Sequence, residues 1–479
     1  MRDRERAGHE NPAGRPPRDD PGGVRPGAET GSDTDRGVGE TPARRAALAA
    51  LARVRRGQPV ADALAAVTGE LSREDRRLAA QLAYGVLRHR RLLDWWIRRH
   101  ARGPLAPAVM DILRLAYVQA AFLDRIPEYA IVSAAVEQAK RVEPRAAGLV
   151  NAVLRRGLSD RPEPDDPAVR YSVPDWIAAR WRRRWPADWE DVLRLNNRLP
   201  PLTLRVARRA SPDALVQDLV ARGVPAERSP LVPEAIRVWG PLWLEDWPPF
   251  QAGEVAVQDE TSMVVAHVVG PRPGLKVVDL AAGLGGKTAH LLDLEPTLDV
   301  VAVDINAARL ARLRDNLDRL GGRRPVEIVA ADALTLPESW DGTFDRVLLD
   351  APCSALGVLR RRVDARWRKR PEDLPRYAAL ETALAERAVR LLKPGGILVY
   401  SVCSLEPEET VEVVDGLLAR HPELAPDPVG PWLPTPALRK LARGGVWQVR
   451  PGQAGAVDGF FIARLAKRPD RGGTEAPAP

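Results

Sequence analysis

The sequence predicts three folded units in series: an all-α domain over residues 42–157, a small α+β region over 158–254, and a doubly wound α/β domain over 255–466. Three observations lead there. Apolar side chains at helical spacing fill the first unit, and a Pro/Asp/Glu-rich break at Pro162 to Pro167 closes it. Beyond about Val255, short β-branched runs alternate with amphipathic stretches, the pattern of a parallel sheet with crossover helices. With 479 residues, 45% hydrophobic and 28% charged, the chain is long enough for about three ordinary domains.

Residues 1–41 are mostly Gly, Pro, Arg, Asp and Glu, too poor in large apolar side chains to offset the entropy of ordering, and they predict a disordered tail. The stretch 467–479 has the same character. Between the tails, Leu48, Leu51 and Val54 mark one helical face, and Ile112, Leu115, Ala116, Phe122 and Leu123 another. Breaks at Gly57 to Pro59, Gly103 to Pro107 and Ile126 to Pro127 divide this region into several helices.

In the middle region Trp176, Trp181, Trp185 and Trp189 interleave with Arg180, Arg182, Arg183 and Arg184. That alternation can stack on and grip a nucleic acid, but tryptophans four apart more often pack in a core with arginines on the wet face, and the core reading is preferred. Pro201 to Val206 reads as a strand. Further strands are expected at Lys276 to Leu280, Val300 to Asp304, Val326 to Val329, Asp345 to Asp350, Ile397 to Ser401 and Phe460 to Arg464. Helices are expected at about Thr288 to Leu294, Asn306 to Leu320, Tyr377 to Leu392 and Pro407 to Arg420. A ligand of such a sheet lies at the carboxyl ends of its strands.

Composition narrows the function. The formal net charge of +8 suits a polyanionic partner. The 65 arginines against 7 lysines fit phosphate recognition, and fit a biased genome composition equally well. Two cysteines, Cys353 and Cys403, exclude a disulfide scaffold and a thiolate zinc cage. No two of the six histidines stand three or four apart, so no metal centre is expected. No apolar run approaches the roughly 20 residues that span a bilayer, and no signal segment opens the chain. The expectation is a soluble, cytoplasmic monomer.

The first strand of the α/β domain runs into Asp279-Leu280-Ala281-Ala282-Gly283-Leu284-Gly285-Gly286-Lys287-Thr288, a turn whose small residues let backbone approach a ligand. Its Gly and Lys spacing is not that of a P-loop. Asp304, at the end of the second strand, is placed to accept both hydroxyls of an adenosine ribose, and Asp332 after the third strand to take the adenine amino group. Both acids could instead cap local turns, but three features in register favour a nucleoside cofactor. The fourth strand ends Asp350-Ala351-Pro352-Cys353-Ser354, and the fifth ends Tyr400-Ser401-Val402-Cys403-Ser404, which puts both thiols at the ligand edge. Cytosine C5 is a poor nucleophile, and methylating it requires a thiolate to add at C6 and push electron density onto C5; a second thiol can assist the reversal.

On these motifs the chain resembles the RNA cytosine-C5 methyltransferases of the RsmB (Sun, Fmu) type, which modify small-subunit 16S ribosomal RNA. The resemblance runs from about 43 to 466. It rests on Ala281 to Lys287, on Asp350 to Ser354 with Gly357-Val358-Leu359-Arg360-Arg361, on Tyr400 to Pro407, and on Asp458-Gly459-Phe460-Phe461. In the helical domain, Tyr84 to Arg88, Ile126 to Ala130 and Gly148 to Arg156 look like the NusB-like RNA-binding domain of that subgroup. The resemblance implies a Rossmann-like class I methyltransferase domain using S-adenosylmethionine, held by Ala281, Ala282, Gly283, Leu284, Gly285, Gly286, Lys287, Asp304, Asp332 and Asp350. It implies Cys403 as nucleophile and Cys353 as promoter of product release, an order that the residues alone leave open. Asp350 and Lys287 are then placed to face the target base and stabilise charge developing on its ring.

Two positions depart from the family pattern Cys-Ala-Ala-Pro-Gly-Gly-Lys: Ala281 replaces its cysteine and Leu284 its proline, removing a fixed φ. The basic run Arg360, Arg361, Arg362, Arg366, Arg368, Lys369 and Arg370 follows Cys353 directly and is expected to bind RNA phosphates while the target base leaves its stack. The rival expectations are a non-catalytic RNA-binding or ribosome-assembly factor with a vestigial cofactor loop, C5 methylation of another RNA such as tRNA, and a small-molecule methyltransferase.

Overall fold

A computed structural model describes residues 40–123, 126–321, 325–455 and 458–469. Residues 1–39 and 470–479 of the expected tails lie outside the described residues. Thr41, whose side chain caps the first helix, and Lys467, whose Nζ donates to the Val389 and Leu392 carbonyls, belong to folded elements rather than to the expected tails.

The first domain is six helices, α1 (Pro42–Arg55), α2 (Val60–Thr68), α3 (Arg73–His100), α4 (Pro107–Phe122), α5 (Glu128–Val142) and α6 (Ala147–Gly157). Ser72 caps the long α3 by accepting from Asp75 N, and Arg98, Arg99 and His100 suit the negative end of its dipole. Its inner face, Leu82, Val86, Leu93 and Ile97, is buried against Ile112, Leu113 and Tyr117 of α4.

Helices α7 (Asp175–Arg184) and α8 (Trp189–Asn197) follow. Here the tryptophans are core: Trp181 is fully buried, and Trp176, Trp185 and Trp189 pack around it with Leu356 and Leu359 of the catalytic domain. The middle domain is a four-stranded antiparallel sheet ordered β2-β3-β1-β4, built from β1 (Leu202–Val206), β2 (Ala226–Arg228), β3 (Ala235–Val238) and β4 (Val255–Val257), with α9 (Pro212–Ala221) between β1 and β2. Leu204, Val206, Ile236 and Val238 alternate onto one face and meet Leu215 and Leu219 of α9.

The last domain opens with α10 (Glu260–Val269), a helix the sequence reading did not mark because its apolar residues run on every side. Then come β5 (Lys276–Asp279), α11 (Gly286–Leu294), β6 (Asp299–Asp304), α12 (Ala307–Leu320), β7 (Glu327–Ala330), β8 (Phe344–Asp350), α13 (Asp373–Leu391), β9 (Leu392–Val402), α14 (Val411–Arg420), β10 (Leu424–Pro426), β11 (Ala442–Arg443), β12 (Val446–Val449) and β13 (Phe460–Lys467). The sheet runs β11-β12-β13-β9-β8-β5-β6-β7, with β10 also pairing β13. Strands β5 to β9 are parallel; β13 is antiparallel to β9, with Phe461 opposite Val402, so the sheet is mixed at that edge rather than wholly parallel. Alternate residues serve the two faces: Val278, Val347 and Leu398 face α13 and α14, while Val277, Leu348 and Val399 face α10. The strand order reverses beside β5, which opens a crevice at the carboxyl ends of β5, β6, β8 and β9.

Candidate active site

The chain leaves β5 through the loop Leu280 to Gly285. Gly283 and Gly285 take φ of +56° and +80°, and a Cβ on Gly285 would come within 2.6 Å of Leu313 Cγ, so glycine is what lets α11 start so close to α12. Without the family proline, the loop is held by Ala282 N to Val303 O and Gly285 N to Ala282 O, both 2.9 Å, and by Asn316 Nδ2 donating to Leu284 O at 3.0 Å. The Leu284 side chain is exposed, and a Cβ on Gly286 would meet nothing within 4 Å.

Of the predicted acids, Asp304 reaches this loop, and the bonds of Asp332 are local to its own turn. Asp304, buried at the end of β6, accepts from Gly283 N at 2.9 Å and from Asn306 N at 2.8 Å, tying two loops together. Asp332 accepts from Leu334 N at 2.9 Å and caps a short turn after β7. Asp279 takes a bond from Thr288 Oγ1 at 2.7 Å, its other oxygen is buried without a partner, and burial pushes it up to about 6. Open backbone, inward carboxylates and an orphaned buried oxygen fit adenosylmethionine, with Ala281 to Lys287 and Asp304 as the residues to hold it.

Cys353 follows β8 and Cys403 follows β9 directly, and their Sγ atoms stand 3.3 Å apart. The contact with Cys403, then burial, raise the Cys353 thiol well above its ordinary range, so it keeps its proton. Lys287 Nζ lies 2.6 Å from Asp350 Oδ2, and Ser401 Oγ donates to Asp350 Oδ1 at 2.8 Å. Burial works against the Lys287 charge, but Asp350, with smaller help from Asp279 and Cys403, raises it and keeps the ammonium charged. Thus Lys287, the Asp350 to Cys353 segment and Cys403, distant from one another in sequence, come together at the carboxyl ends of the strands.

The basic run does not act as a unit. Arg366 is fully buried and donates to the carbonyls of Arg88, Ser172, Asn196 and Leu359 and to Asn197 Oδ1, joining α3, the α7–α8 segment and the catalytic loop. Arg360 is buried with Nη2 on Leu199 O, and Arg361 bridges Asp458 and Asp259. These three are structural, which corrects the expectation that they bind phosphate. Arg362, Arg368 and Arg370 are exposed, and Lys369 is half-buried against Tyr377.

Sequence reading missed Glu409, which is buried and accepts from Ser354 N at 2.5 Å, from Ser354 Oγ at 2.6 Å and from Ser404 Oγ. A serine directly after each cysteine was the available signal. It also missed a triad away from the crevice: His267 Nε2 lies 2.6 Å and His290 Nε2 3.2 Å from Glu234 Oε1. The histidines come from α10 and α11, so spacing within one helix could not reveal them. Ligands around a tetrahedral zinc stand roughly 3.4 Å apart, and the tighter His267–Glu234 spacing is that of a hydrogen bond.

Fold and crevice together define an adenosylmethionine-dependent methyltransferase that carries an N-terminal helical domain. Residues 266–466 match the family of 16S rRNA methyltransferase RsmB/F, residues 41–158 the NusB family, and residues 173–245 the ferredoxin-like domain of RsmF/B-like methyltransferases. Ribosomal RNA small subunit methyltransferase B of Erwinia tasmaniensis is 36% identical over 426 residues, covering 87% of this chain and 96% of that protein. The crystal structure of PH0851 superposes with a TM-score of 0.75 at 28% identity, covering 90% of this chain and 100% of that one. A methyltransferase homolog from Pyrococcus horikoshii gives a TM-score of 0.52 at 28% identity, covering 63% and 98%. The chain belongs to the RsmB/F family of rRNA methyltransferases.

Proposed function

We propose that the protein methylates C5 of a cytosine in 16S rRNA through a covalent adduct on Cys403. The observation that carries this is the pair of thiols 3.3 Å apart at the ends of β8 and β9, beside the Lys287–Asp350 pair. Adenosylmethionine, when bound, supplies an electrophilic methyl group. Cys403 Sγ adds to C6 of the flipped base, and the new carbon–sulfur bond leaves C5 electron-rich; the Lys287 ammonium, held by Asp350, faces the ring and offsets the negative charge that develops. After methylation C5 loses its proton to a water molecule, the electrons of that C–H bond restore the ring double bond, and the Cys403 sulfur leaves with the electrons of the carbon–sulfur bond as a thiolate. Cys353, which retains its proton, lies against that sulfur and promotes its departure.

Arg362, Arg368 and Arg370 are exposed on the segment that follows Cys353, which supports phosphate contacts for them and not for their buried neighbours. Among the described residues no helix is long and apolar enough to cross a membrane, and a cytoplasmic site of action follows from the rRNA substrate. Bisulfite sequencing of rRNA from cells with and without the gene tests the proposal. Loss of one 5-methylcytosine from 16S rRNA is expected; an unchanged 16S pattern refutes it.

A further inference from the structure

Both catalytic loops end on one carboxylate. Glu409 Oε1 accepts from Ser354 N at 2.5 Å, Glu409 Oε2 accepts from Ser354 Oγ at 2.6 Å, and the same Oε2 takes the Ser404 hydroxyl. The two serine oxygens are 3.2 Å apart. Ser354 follows Cys353 and Ser404 follows Cys403, so the carboxylate bridges the residues next to the two thiols. The bridge is dry: Ser354, Ser404 and Glu409 are all at most 1% exposed. It is also anchored, because Tyr400 Oη donates to the Glu409 carbonyl at 2.7 Å and Gly357 N donates to the Cys403 carbonyl at 3.0 Å.

We infer that Glu409 is a positioning residue that sets the distance between Cys353 and Cys403 by clamping the two serines, a role that rests on the two-thiol reading above. Burial raises both Glu409 and the fully buried Glu381, but the Ser354 and Ser404 bonds oppose the rise at Glu409, whereas burial and then the Glu409 charge push Glu381 up to about 10, so Glu381 is the acid of the pair that holds its proton. That same charge contributes to holding the Cys353 proton on. Glutamine at 409 offers one acceptor oxygen in place of two, and aspartate is one methylene too short to reach both loops.

The test uses the full-length protein and reads the thiol gap without RNA. Diamide removes two electrons and two protons from a pair of thiols to form a disulfide, and the S–S bond of about 2.05 Å requires the sulfurs to close by roughly 1.2 Å. Glu409→Gln is expected to slow diamide cross-linking of Cys353 to Cys403 about tenfold and to lower kcat roughly 10²-fold, the scale of a 1 Å misplacement. The KM for adenosylmethionine should stay unchanged, because Glu409 touches none of residues 281–287. A folded Glu409→Gln protein with wild-type cross-linking rate and kcat overturns the inference. Should that variant fail to fold, Ser404→Ala, which removes one strut, must slow cross-linking as well, and a wild-type rate there overturns it equally. Slowed cross-linking alongside a fully active Cys403→Ala would sink the covalent mechanism and leave the clamp standing.

Discussion

Arg366→Met separates a structural arginine from an RNA-binding one. The substitution leaves the carbonyls of Arg88, Ser172, Asn196 and Leu359 without their donor in a site of zero exposure. Each such loss costs about 1–3 kcal/mol. Relief opposes it: burial lowers the Arg366 guanidinium from 12.5 to about 9, so removing that buried charge returns about 5 kcal/mol. The balance is a destabilisation of about 3 kcal/mol, which at about 2–4 °C per kcal/mol lowers the melting midpoint by roughly 6–12 °C. The assay is a thermal melt paired with RNA affinity measured across a salt series. Arg362→Ala provides the contrast, with an unchanged midpoint and a log–log salt slope shallower by about one. An Arg366→Met protein that melts like wild type yet binds RNA more weakly would refute the reasoning and restore Arg366 to the RNA surface.

Three further outcomes follow. Asp304→Ala removes two bonds to the loops that flank the cofactor, so adenosylmethionine affinity should fall about tenfold or more by calorimetry, with RNA affinity unchanged. Glu381 has a folded pKa of about 10 against an ordinary 4.5, so the folded state holds a proton that the unfolded chain releases. The contribution of this group to stability is therefore greatest below 4.5 and falls by about 1.4 kcal/mol per unit as pH rises toward 10. Glu381→Gln should flatten that fall and be about 3 kcal/mol more stable at pH 7, and identical denaturation curves from pH 5 to 8 would contradict it. Gly285→Ala forces a Cβ into Leu313 at positive φ, so loss of adenosylmethionine binding is expected in a protein whose RNA affinity is retained.

Local patterning made most of the catalytic domain legible. The strands ending at Asp304 and Asp350 stand where β-branched runs placed them, and both thiols fall at the strand ends that the motifs marked. Helix α10 escaped because a helix buried on all sides carries no polar stripe; β13 was marked as a strand, but its antiparallel direction was not, because a strand's direction is set by its pairing and not by its composition. The basic run misled for a related reason: a guanidinium caged by carbonyls and one facing water are spelled alike. Only the approach of α3 shows that Arg366 belongs to a domain junction. Glu409 was hidden in the same way, since its meaning lies in two serines, one 5 and the other 55 positions before it, that the fold brings together on its carboxylate.

Trapping the RNA adduct tests the central claim most directly. Cys353→Ala is incubated with 16S rRNA and adenosylmethionine, run on a denaturing gel, and the shifted band is digested for peptide mass mapping. The account predicts a stable covalent complex with the nucleotide on the peptide containing Cys403, and no such band from Cys403→Ala. A complex formed by Cys403→Ala through Cys353 would contradict it.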